Sequence, residues 1–124
     1  MKKIIATTKA PEAIGPYSQA VDTGSLIFAS GQLPMHPETG EFPDGIAAQT
    51  RQCLENVKAI VQEAGLTMDD IVKVSVFMKD LEDFTVMNEV YSTFFSKYPA
   101  RSTFQVARLP KDALVEVEVI IGRS

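Results

Sequence analysis

The stretch that most limits the fold lies near the end of the chain. Over residues 114–121 apolar side chains fall on both sides of a period-of-two pattern. Val115, Val117, Val119 and Ile121 share one side, and Leu114, Glu116, Glu118 and Ile120 share the other. Such a strand suits neither an open surface nor a wholly dry core. One face calls for helices, and the mixed face calls for another molecule.

The rest of the chain supplies two candidate helices. In residues 17–30, two short apolar stretches flank Asp22-Thr23-Gly24-Ser25 and read as a β-hairpin. Residues 34–45 hold three Pro and two Gly and read as loop. A long helix is expected from Ile46 to a stop at Gly65, with Asp44 as a candidate N-cap. Its apolar positions Ile46, Thr50, Cys53, Val57, Ile60 and Ala64 recur at threes and fours. Residues 71–78 read as a strand with Val72, Val74, Val76 and Met78 on one face.

A second helix is expected between Asp80, as N-cap, and Pro99, with Leu81, Phe84, Met87, Val90, Tyr91, Phe94 and Phe95 as its buried stripe. Residues 102–108 and 114–121 complete the pattern as strands. The order β-hairpin, helix, strand, helix, two strands predicts an α+β domain spanning residues 1–124, with both helices on one sheet face. No helix is left for the other face. Its mixture of apolar and acidic groups predicts an oligomer interface.

Composition narrows the chemistry. The chain has 124 residues with 12 basic and 16 acidic side chains, a net charge of −4. Without a basic run, it is a poor candidate for nucleic-acid binding. One Cys (Cys53) and one His (His36) leave no intrachain disulfide, Cys/His zinc site or iron–sulfur cluster. Cys53, at helical spacing, reads as a small buried apolar group, and His36 as a solvated loop residue. Lys9, Pro11 and Glu12 interrupt the first apolar run before a signal-peptide core or membrane span could form, so a cytoplasmic location is expected. There is no Gly-rich phosphate loop.

Two features remain. Arg101, in Pro99-Ala100-Arg101-Ser102-Thr103, falls just after a helix end and just before a strand. It reads either as a structural side chain capping carbonyls or pairing with an acid at the interface, or as a fork that binds a carboxylate bidentately. Glu116 and Glu118 read either as solvent-facing acids or, at an interface, as partly desolvated groups fit for proton transfer. Arg101 and Glu116 fall at the starts of two strands expected to be neighbours, which would place both beside one pocket.

Six separated segments carry a family resemblance: Ile14-Gly15-Pro16-Tyr17-Ser18-Gln19, Ser30-Gly31-Gln32, Met87-Asn88-Glu89-Val90-Tyr91, Pro99-Ala100-Arg101-Ser102, Val106-Ala107-Arg108-Leu109-Pro110 and Val115-Glu116-Val117-Glu118. In this order they resemble the Rid (YjgF) family of reactive enamine/imine deaminases, in particular its RidA branch, over nearly the whole chain. The resemblance implies a homotrimer of chorismate-mutase-like (bacillar type) subunits with a cleft at each interface. It further implies cofactor-free and metal-free hydrolysis of 2-aminoacrylate, 2-aminocrotonate and their 2-imino tautomers to 2-keto acids and ammonia, which would protect pyridoxal-phosphate enzymes. By similarity Arg101 grips the substrate carboxylate and Glu116 activates water. Ser30, Gly31 and Thr103 line the pocket, and Tyr17 and Asn88 close it.

Two departures stand out: Thr103 where many relatives have Cys, and Gln105 where many have Glu. The resemblance leaves a second reading, a 2-keto acid-binding regulatory protein without turnover. A third, ribonuclease activity, fits poorly with the acidic charge balance.

Overall fold

The structure, a computed structural model, describes residues 2–123. Strands β1 (Lys3–Ile5), β2 (Ala20–Asp22) and β3 (Leu26–Ala29) precede helix α1 (Ile46–Glu63). Strand β4 (Ile71–Met78), helix α2 (Phe84–Ser92) and strands β5 (Ala100–Gln105) and β6 (Val115–Gly122) follow. The strands form one six-stranded sheet in the order β1-β2-β3-β6-β4-β5. All neighbours are antiparallel except β4 and β5, which run parallel and are joined through α2. Two helices packed on a mixed sheet make this an α+β fold. No helix among the described residues is long and apolar enough to cross a membrane.

Local chemistry explains most element boundaries. The β2–β3 turn is held by Asp22, whose Oδ1 accepts from Gly24 N at 2.8 Å, and Gly24 takes the left-handed φ of +112° the turn requires. At the end of α1, Gly65 at φ +79° allows a Schellman closure. Its N–H donates to Gln62 O at 2.9 Å, and Leu66 N–H donates to Val61 O at 3.1 Å. The start of α1 departs from expectation. Gly45, not Asp44, occupies the cap position, at φ +88°, and no side chain caps the helix.

Three further expectations are corrected. A β-bulge between Ile71 and Lys73 takes Val72 out of the buried row and leaves it 47% exposed. Helix α2 is much shorter than the interval from Asp80 to Pro99. Asp80 instead caps a single 3-10 turn (Leu81–Asp83), accepting from Glu82 N at 2.9 Å, and Leu81 faces solvent. The far end closes early because Ser92 and Thr93 hydroxyls donate to the Glu89 and Val90 carbonyls. Asp69 then accepts the Ser96 and Lys97 amides, drawing the chain out of the helix. Finally, β5 begins at Ala100 and ends at Gln105, earlier than the expected residues 102–108, and β1 is a strand that sequence did not signal.

The helices cover one face. Val74, Val76, Met78, Val115, Val117, Val119 and Ile121 pack there with Cys53, Leu54, Val57, Ile60 and Met87. Cys53 is fully buried, its thiol donating to Val115 O at 3.5 Å, and burial pushes the thiol pKa well up. The opposite face has no helix. Phe28 and Phe104 stand about half exposed there, on the side of the sheet that also carries Phe77, Glu116, Glu118 and Ile120.

Candidate functional site

Sheet register fixes which side each candidate residue takes. Arg101 pairs with Val74 and Thr103 with Val76, so both lie on the helix-covered side of the edge strand β5. Glu116 pairs with Phe77 on the open side. Strand β4 lies between β5 and β6, so the two strands expected to be neighbours are not. Arg101 and Glu116 are thus two strand spacings apart, roughly 10 Å across the sheet, and on opposite faces. One copy of the chain does not place both beside a common pocket. Its site residues form two separate groups.

The first group surrounds Arg101. Its Nη1 donates to Asn88 Oδ1 at 2.7 Å, and its Cζ lies 4.7 Å from the Tyr91 ring centre and 5.5 Å from that of Phe84. Asn88, Tyr91, Ser92, Tyr98, Pro99 and Arg101 line an open pocket of about 430 Å³. Among the described residues the ion pairs are Lys79–Asp112 and Arg123–Asp22, so Arg101 has no acidic partner there. Thr103 extends the same side of β5, its hydroxyl buried without a hydrogen-bond partner among the described residues. Tyr91 is buried, and burial raises its phenol pKa while the Arg101 charge pulls the other way.

The second group surrounds Glu116. Gln32 and Val117 exchange backbone hydrogen bonds at 2.7 and 3.1 Å, which sets Gly31 against the Glu116 side chain. The contact is close: a Cβ on Gly31 would meet Glu116 Oε2 at 2.6 Å and Cδ at 2.9 Å. Only glycine leaves the carboxylate where it is. Ser30 Oγ donates to Ser18 O at 2.6 Å, tying the segment that carries Tyr17 to the end of β3. Tyr17, 54% exposed, borders a pocket of about 260 Å³ with Gly31, Gln32, Ile14 and Lys111. Burial raises the Glu116 pKa, and the negative charge of Glu118 raises it further. Glu116 itself lines neither the pocket of about 260 Å³ nor a larger one of about 580 Å³ by the N-terminal segment, which Tyr17 also borders.

The sequence reading put Arg101, Asn88, Thr103, Tyr17, Ser30, Gly31 and Glu116 around one pocket; within one copy the structure divides them into these two groups. It read Phe84 and Tyr91 as plain core. The signal available was Asn88 inside an apolar stripe, at the i+4 position between Phe84 and Tyr91. It also missed the buried amides. Asn56 Nδ2 donates to Leu33 O and Met35 O at 3.0 and 2.9 Å, tethering the loop after Gln32. Gln19 exchanges hydrogen bonds with the Thr7 backbone and donates to Pro11 O, framing the segment before Tyr17.

This fold and these residues have close counterparts. Residues 7–122 match the family model described as Endoribonuclease L-PSP. The chain belongs to that family, which is the Rid (YjgF) family its motifs resemble. A 2-iminobutanoate/2-iminopropanoate deaminase of Escherichia coli K12 is 56% identical over 127 aligned residues, covering 99% of each protein. The solved structure of E. coli TdcF with bound serine superposes with a TM-score of 0.97 at 56% identity, covering 98% of this chain and 99% of that one. The E. coli YjgF gene product superposes with a TM-score of 0.96, also at 56% identity, covering 98% and 99%.

Proposed function

We propose that this protein hydrolyses 2-imino acids, and their enamine tautomers, to 2-keto acids and ammonia. The observation that carries the reading is a full-length relationship at 56% identity to a deaminase of that name, with Arg101 and Glu116 both present. The active site is composite: the Arg101 group of one copy faces the Glu116 group of a neighbour. The opposite-face placement supports this, because two copies can bring together what one holds apart. The half-exposed aromatic groups on the open sheet face support it too. The family resemblance supports a homotrimer of chorismate-mutase-like subunits, and the same reading has it act in the cytoplasm.

The chemistry asks little beyond these groups. The Arg101 fork takes the substrate carboxylate in two parallel hydrogen bonds. A protonated imine carbon is already electrophilic, so a positioned water can add to it without a metal or covalent nucleophile. Glu116, its pKa raised by burial and Glu118, takes a proton from that water and delivers one to the nitrogen. The tetrahedral carbinolamine then expels ammonia, and its hydroxyl, giving its proton to the again ionised Glu116, becomes the keto oxygen. Tyr17, Ser30, Gly31, Asn88 and Thr103 shape the cavity around the small substrate. Removing such electrophiles as pyridoxal-phosphate enzymes release them would protect those enzymes.

The test is a coupled assay in which a threonine dehydratase generates 2-iminobutanoate. Keto acid should form faster with the protein than without it, and Arg101→Ala should abolish the excess. A protein that binds 2-oxobutanoate tightly yet gives no rate gain would be the 2-keto acid-binding regulator instead.

A further inference from the structure

We propose that Phe84 and Tyr91 are positioning residues for Arg101: together with Asn88 they form a neutral cage on α2 that holds the guanidinium aimed at its pocket while leaving its charge uncancelled. The three residues stand at i, i+4 and i+7, so one face of a nine-residue helix presents ring, amide and ring in a row. Arg101 meets all three. Its Cζ is 4.7 Å from the Tyr91 ring centre and 5.5 Å from that of Phe84, and its Nη1 donates to Asn88 at 2.7 Å.

The cage has a structural backing. Tyr91 packs against Phe95 with ring centres 4.8 Å apart, and both rings are buried, so the face offered to Arg101 is fixed by the core. Phe84 is half-buried at the start of the helix. An arginine on an edge strand would otherwise sample many rotamers or fold back on an acid. Aromatic faces attract the cation through their quadrupole, and the amide accepts one hydrogen bond. None of the three carries a charge that would compete with an incoming carboxylate. The donors not used by Asn88 stay available for a bidentate partner. Preorganisation of this kind lowers the cost of binding without adding a contact to the ligand.

The carboxylate-binding role of Arg101 rests on the function proposed above; the cage itself does not. The first measurement is therefore independent of turnover. In the unliganded protein, the Arg101 Nε–Hε resonance should be displaced by the two ring currents and show a rigid order parameter. Phe84→Leu and Tyr91→Leu should each return it toward the free-arginine position and loosen it, and Tyr91→Phe should restore it. A wild-type signal already at the free-arginine position overturns the cage.

The second measurement is 2-oxobutanoate affinity, with KM and kcat for 2-iminobutanoate. The leucine variants should weaken binding and raise KM about five- to tenfold, with kcat within about twofold. Tyr91→Leu removes part of the core, so Phe84→Leu, at the half-buried position, is the variant of record if Tyr91→Leu does not fold. A folded Phe84→Leu protein with unchanged affinity and KM overturns the positioning role. If wild type neither binds 2-oxobutanoate nor accelerates hydrolysis, the functional reading fails while the resonance still decides the cage.

Discussion

Arg101 and Glu116 carry opposite charges on opposite faces of one sheet, and their surroundings are built on different plans. Arg101 sits under a helix, against two aromatic faces and one amide, in a setting that a single copy of the chain completes. Glu116 sits on the bare face, backed by a glycine and beside a second acid, in a setting that raises its pKa but encloses nothing. For the reaction proposed above the arginine needs a fixed direction and an unspent charge, which neutral neighbours provide. In the same proposal the glutamate needs basicity, which burial and a like charge provide. Within one copy the plans do not interchange: an acid packed against Arg101 on its own chain would occupy the fork, and a cation packed against Glu116 on its own chain would lower its pKa.

The largest effect comes from breaking the two halves separately and recombining them. Glu116→Gln keeps the shape and removes the proton acceptor, so kcat should fall about 10²–10⁴-fold with little change in KM. Arg101→Ala should be comparably inactive, chiefly through lost substrate binding. Unfolding and refolding the two dead variants as an equal mixture should then restore about a quarter of wild-type activity. In randomly assembled symmetric oligomers, roughly that share of interfaces pairs an intact Arg101 with an intact Glu116. No recovery in verified mixed oligomers would mean that each site draws both residues from one chain, and the composite site would be lost.

A more local perturbation tests how finely the Glu116 half is set. In Gly31→Ala the new Cβ meets the end of the Glu116 side chain rather than backbone. The carboxylate can swing aside, so the melting temperature should stay within about 2 °C, an effect well under 1 kcal/mol for a domain of this size. The displaced carboxylate should nonetheless cost about ten- to a hundredfold in kcat. Calorimetry and kinetics on the same sample check both. A large loss of stability without a catalytic defect would make Gly31 a folding residue only.

How much of this was legible in the sequence follows the reach of each signal. The β2–β3 turn, the Gly65 stop, and the strands β4 and β6 are written in adjacent residues, and all were read. The mixed face of β6 was also read, because alternation needs only one strand. Strand order is different. β6 enters between β3 and β4, and α2 returns the chain to the far side of β4, so the relation of Arg101 to Glu116 depends on pairings between distant segments. No local pattern encodes it, and the expected adjacency of their strands failed for that reason. The bulge at Val72 failed similarly, since a one-residue shift in pairing leaves no trace in composition. Periodicity put Tyr91 on the buried side of α2, but could not say that Arg101, on another element, lies against its ring. It is equally silent on Asn56, whose three partners lie in the loop after Gln32 and one turn back on α1.

The smallest effect is also the one that separates the two causes acting on Glu116. Its pKa lies above the ordinary glutamate value of 4.5, first from burial and second from Glu118. With ionised Glu116 as the base proposed above, activity should fall as pH drops through that raised value, and the acid limb of kcat should lie above pH 4.5. Glu118→Gln removes only the second cause. The limb should move to lower pH without reaching the ordinary position, because burial remains. Stability follows the opposite sense from activity. A carboxyl raised in the folded state contributes stability that is full below its unfolded pKa and is lost as pH rises through the folded one. Glu118→Gln should narrow that window from its upper edge. A pH–rate profile and a pH series of melting temperatures on the two proteins give both shifts. A limb that stays in place would leave burial as the sole cause, and a limb that moves up would mean that Glu118 does not face Glu116 as a free charge in the assembled protein.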